Sequence, residues 1–147
     1  MPQAGKGDTP WDRLSVVELR ALLRAPLLHG PSAWLQEVWR ADGPVQQGHS
    51  EGIHWRRSGD VLYGVIELHE NDGAAARDAN PLQSASRLVY ERLFALLRAQ
   101  GTPHLWRVWN YLARINGESQ GLERYRQFNL GRFDAFVQAQ RETGGQV

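Results

Sequence analysis

HLWRVWNYLARINGESQGLERYRQFNLGRFDAF, residues 104–136, sets aromatic and polar side chains side by side and fixes the fold class. In its first part Leu105, Trp106, Val108, Trp109, Tyr111 and Leu112 leave only Arg107 and Asn110 as polar members, the composition of a strand. Ile115, Asn116 and Gly117 break the run. From Ser119 onward, aromatic or aliphatic residues at 122, 125, 128, 130, 133, 136 and 137 recur at helical spacing. The same two segments carry Asn110, Asn116, Arg124, Arg126, Asn129 and Arg132. Polar groups this dense in core segments point to a site.

Immediately upstream, Asn80 is placed to cap a helix with Pro81 in its first turn. Leu82, Ala85, Leu88, Val89, Leu93, Leu96 and Leu97 follow at helical spacing until Gly101-Thr102-Pro103 stops them. Before that helix, Asn71 to Asn80 reads as a loop. Ile53–Arg57 and Val61–Leu68 flank Ser58-Gly59-Asp60 and predict a β-hairpin. Asp42-Gly43-Pro44 and residues 47–52 carry turn and loop chemistry. Trp34–Trp39 is compatible with a strand or a helical turn, the strand preferred. Trp11–Leu28 predicts a short helix ending before Pro26, and residues 1–10 a flexible tail. Hairpin, helix, strand and helix in that order give an α+β chain, and its length suits one domain.

Composition narrows the function. With 41% hydrophobic and 22% charged residues and a net charge of +1, nothing predicts nucleic-acid or membrane binding through bulk charge. The absence of cysteine excludes disulfides and thiol nucleophiles. No signal-peptide pattern or long apolar run is visible, so a cytoplasmic location is expected. All basic residues but Lys6 are arginines. Base composition accounts for such a ratio, although some of them can serve as forks for carboxylates.

His29, His49, His54, His69 and His104 show no zinc-type spacing, and no metal is expected. His54 and His69 can face each other across the hairpin or lie on the surface. There is no nucleophile elbow, P-loop or dinucleotide fingerprint. Glu67, Glu70 and Asp72 can act as a base, hold a cation, or line a solvated loop. Tryptophan, tyrosine and arginine in the 104–136 stretch suit a small, partly apolar anion. Equally, Trp106, Trp109, Phe128, Phe133 and Phe136 can be core, with the arginines paired to Glu91, Glu118, Glu123 or Asp134. Gly131 costs a helix about 1 kcal/mol relative to alanine and signals close backbone packing.

RVWNYLARIN (107–116) followed by GLERYRQFNLGRFDAF (121–136) resembles the signature of the chorismatase family of hydroxybenzoate synthases. GDVLYGVIELHE (59–70) and the helix opening Asn80-Pro81-Leu82-Gln83 are similar to the same family, so the resemblance covers roughly 53–137. It implies a Rid/YjgF-like sheet with a β-hairpin and two helices packed on one face, over 11–147, as in the amino-terminal half of a chorismatase. It also implies cleavage of chorismate to a hydroxybenzoate or a dihydroxycyclohexadiene carboxylate, with release of pyruvate and no cofactor. The family's catalytic glutamate lies in a second half, so no catalytic residue is expected in this chain. Asn110, Tyr111, Asn116, Arg124, Tyr125, Arg126 and Arg132 are the positions expected to line or support a pocket for a chorismate-like carboxylate at the join between halves. The partner is then a missing carboxy-terminal half or a second copy of the chain. The alternatives are a self-contained homo-oligomeric enzyme, drawing its acid from Glu67, Glu70 or Glu123, and a non-catalytic binding or interaction module.

Overall fold

Two-residue turns organise the sheet. Glu51-Gly52 and Gln120-Gly121 have positive φ at both positions, and Gly59-Asp60 at the first alone. These are the primed turns whose twist matches that of paired strands. The structure is a computed structural model that describes residues 39–40, 43–72 and 80–141. The expected tail (1–10), first helix (11–28), strand over 34–38 and loop over 73–79 lie outside the described residues.

Strands β1 (Gln46–Ser50), β2 (Ile53–Ser58) and β3 (Val61–Ile66) form an antiparallel meander in that order. The predicted hairpin is therefore β2–β3, closing at Ser58↔Val61. The expectation of a loop over 47–52 is corrected. Gln46–Ser50 is a strand, and only Glu51-Gly52 turns. QQGHS has no apolar residue to announce a strand; β2 recruits it through the ladder. Gly48 is required there, because a Cβ would lie 2.4 Å from the Trp55 ring lying across it. The Trp55 indole donates to Ser50 Oγ (3.2 Å).

Helix α1 (Pro81–Ala99) starts as expected, with Asn80 Oδ1 accepting from Gln83 N at 3.2 Å. It ends in a Schellman motif, in which Gly101 N donates to Arg98 O and Thr102 N to Leu97 O. Helix α2 (Arg124–Gln138) begins later than expected. Its predicted first turn is instead a minimal hairpin, β4 (Glu118–Ser119) with β5 (Leu122–Glu123). Gln127 is buried and its amide donates to Ser119 O (2.6 Å) and Leu122 O (2.7 Å), holding that hairpin on α2.

The helices pack mainly on each other. Tyr90, Phe94 and Leu97 of α1 meet Phe128 and Ala135 of α2, with Phe136 edge-on to Phe94 at 5.0 Å. Leu62 of β3 joins this cluster, and Arg57 donates to Gln100 O at the end of α1, which fixes the sheet face that α1 covers.

Residues 104–112 carry no ladder, which corrects the expected strand. The segment is pinned rather than paired. Leu105 and Leu112 pack on the core cluster, and Asn110 Oδ1 accepts from the buried Tyr90 hydroxyl at 3.1 Å. No described strand lies beside it, so its β-type composition has no neighbour with which to form a sheet.

Candidate functional site

The turn at 113–116 and the start of α2 are tied by backbone bonds. Gly117 N donates to Arg114 O (2.8 Å), Arg124 N to Gly117 O (2.8 Å) and Tyr125 N to Ile115 O (3.1 Å). These bonds bring Asn116, Arg124, Tyr125 and Arg126 together. Of the other expected residues, Asn110 and Tyr111 stand on the extended segment. Arg132 lies two turns along α2, about 12 Å from Arg124 along the axis, with its guanidinium 5.8 Å from the Phe128 ring centroid.

Arg124 is the buried member of the group, 5% exposed. Its Nε donates to Ala113 O (3.0 Å), and its two terminal nitrogens grip both oxygens of Glu70. The whole fork is thus engaged within the chain. The Arg124 hydrogen bond holds the Glu70 carboxyl below its ordinary range, against a smaller opposing effect of burial, with the Arg124 and Arg114 charges adding to the lowering. In return the Arg124 guanidinium is pushed up by Glu70. Within the acidic cluster read as base, cation site or solvated loop, Glu70 is the counter-ion of a buried arginine. Sequence could not pair residues so far apart.

The neighbours of Arg124 face outward. Tyr125 is 48% exposed, and the Arg126 side chain is 72% exposed and 3.7 Å from Glu123. Asn116 is exposed as well. On the extended segment, Trp106 (80%) and Tyr111 (63%) stand in solvent. Trp109 meets Trp39 edge-on at 5.9 Å, with Arg107 5.4 Å from its ring centroid. Exposed aromatic rings stand on the extended segment and an exposed arginine at the start of α2, an open shelf that cannot enclose a ligand.

Among the described residues no group of three or more histidine or acidic side chains is placed to hold a metal ion, and no helix is long and apolar enough to cross a membrane. His54 stands opposite Val65 in β3 and stacks on His49 of β1, so its observed ring partner is His49.

The family model for the N-terminal domain of FkbO/Hyg5-like chorismatases matches residues 37–147. A chorismatase of Streptomyces rapamycinicus is 39% identical over 100 residues, covering 67% of this chain and 28% of that protein. A 3-hydroxybenzoate synthase of Streptomyces hygroscopicus is 30% identical over 107 residues, covering 72% of this chain and 29% of the relative. A chorismatase crystal structure superposes with a TM-score of 0.54 at 37% identity, over 67% of this chain and 28% of that one. The chain thus spans little more than a quarter of the length of the curated relatives it matches.

Proposed function

The chain belongs to the chorismatase family, through its FkbO/Hyg5-like N-terminal domain, and from that membership we propose that it serves as the amino-terminal domain of a chorismate-cleaving enzyme, supplying scaffold and carboxylate contacts but not the catalytic acid. The observation that carries this reading is the fate of Glu70. Protonating an enolpyruvyl group needs an acid that keeps its proton near neutral pH. Glu70, one of the acids a self-contained enzyme would draw on, is driven the other way by Arg124, which counts against it as the proton donor.

In this reading Asn116, Tyr125 and Arg126 present donors to a substrate carboxylate, while Arg124 braces the turn beneath them. Tyr111 and Arg132 flank the shelf, and Asn110 aligns the extended segment through Tyr90. The remainder of a chorismatase-length polypeptide closes the pocket over Trp106, Trp109 and Tyr111. A second copy is the poorer partner. Residues 104–117 hold His104, Arg107 and Arg114 and no carboxylate, so self-pairing sets like charges along one ladder.

Chorismate titrated into the chain, followed by tryptophan fluorescence, tests the contacts. Arg126→Ala is expected to weaken binding about tenfold, the worth of one charge-assisted hydrogen bond, with an unchanged melting temperature. Equal affinity in parent and variant removes Arg126 from the site.

A further inference from the structure

Residues 104–112 form an unpaired edge. Arg141 donates to Pro103 O (2.9 Å) just before the segment, and Arg124 to Ala113 O (3.0 Å) just after it. Between those anchors none of the backbone N–H and C=O groups is bonded to another described residue. Soluble proteins blunt such edges with lysine, proline, a bulge or short length. The open edge of β1 follows that rule, being short and without an apolar side chain. Residues 104–112 do not. They contain no lysine, proline or glycine, and they expose Trp106, Val108, Trp109 and Tyr111, residue types that favour strands. Large apolar side chains displayed along an unblunted edge mark a pairing site.

Charge selects the partner. The Arg107 guanidinium lies 5.4 Å from the Trp109 ring centroid, and residues 104–117 provide no carboxylate to meet it. An opposite charge across a strand pair is favourable and a like charge is not. We propose that 104–112 is the acceptor edge for an added β-strand that carries carboxylates, supplied by the part of a chorismatase-length polypeptide that this chain does not contain. The Streptomyces rapamycinicus chorismatase is matched over 28% of its length, which leaves most of such a polypeptide to provide the strand. Main-chain bonds give the addition its strength, and a carboxylate opposite Arg107 gives it its selectivity. The source of the strand rests on the proposed function; the edge and its preference for acid rest on the segment itself.

The test is titration of the ¹⁵N-labelled 147-residue chain with a short capped peptide alternating valine with glutamate and, separately, with its lysine counterpart. The acidic peptide is expected to give saturable amide shifts centred on 104–112 and to bind about tenfold more tightly than the lysine peptide. Val108→Pro removes a backbone donor from the edge and is expected to abolish those shifts. Arg107→Glu, at an exposed side chain, is expected to reverse the preference, and it decides the matter if Val108→Pro fails to fold. No saturable shift with either peptide, equal affinity of the parent for both, an unreversed preference in Arg107→Glu, or shifts centred on β1 or β3 overturns the proposal. Chorismate titration reads the shelf separately, so either reading can fail while the other stands.

Discussion

Gly131→Ala is expected to lower stability by about 2–3 kcal/mol, a fall of roughly 10 °C in Tm. A Cβ on Gly131 would sit 2.0 Å from Gln83 O and 2.9 Å from Arg87 N, both backbone atoms of α1. No side chain can swing aside to admit it, so the helices must separate. That separation loosens the packing of Tyr90, Phe94, Phe128 and Phe136 and pulls on the Gln83 to Asp134 bond (3.0 Å). Alanine regains about 1 kcal/mol of helix propensity, which the clash outweighs. Gly131→Val, larger and β-branched, is expected to prevent the helices from docking. Leu130→Ala is the control; at 45% exposed it should change stability by no more than about 0.5 kcal/mol. Thermal melting followed by circular dichroism reads all three, and a parent-like Tm for Gly131→Ala refutes the close crossing.

Arg124→Met is expected to cost about 2 kcal/mol. Breaking a fully buried pair costs about 3–5 kcal/mol, but the Glu70 side chain is 41% exposed and returns to water once released, which reduces the loss. The Ala113 carbonyl also loses its donor. From sequence alone Arg124→Ala is expected to weaken ligand binding more than folding; the engagement of the whole guanidinium fork within the chain reverses that order.

The pH dependence has a definite sign. Glu70 has a folded pKa depressed below 4.5, so its contribution is complete above that value and disappears as pH falls through the lower folded one. The raised pKa of Arg124 acts only at strongly alkaline pH. Urea unfolding of the parent from pH 6 downward should therefore show a loss of stability below about pH 4.5. Arg124→Met should show less of it, and parallel acid limbs in the two proteins exclude the pair as the cause.

What the sequence announces is what local chemistry decides. The cap at Asn80, the spacing from Leu82 to Leu97 and the Gly59 turn place α1 and the β2–β3 hairpin. Gly131 marks a close crossing before its partner is known. β1 escapes notice because a polar edge strand is recruited by its neighbour. The start of α2 shifts because Gln120-Gly121 adopts a hairpin turn, a choice that the buried Gln127 amide rewards from the next helix turn. Residues 104–112 have strand composition without a strand to pair with, and composition cannot supply the neighbour. For the site, the signature gathers Arg124, Tyr125 and Arg126 at the start of α2, but does not say which arginine is buried. Only the fold brings Glu70 to Arg124 and turns Arg126 outward.

The most direct test of the scaffold reading is pyruvate release when the purified 147-residue chain is incubated with chorismate, compared with spontaneous decay. Release at the background rate is the predicted result, since Arg124 holds Glu70 away from the protonated form and the scaffold reading takes the catalytic acid from the remainder of a chorismatase-length polypeptide. Release well above background, abolished by Glu67→Gln or Glu123→Gln, would contradict the account and make the chain an enzyme in its own right.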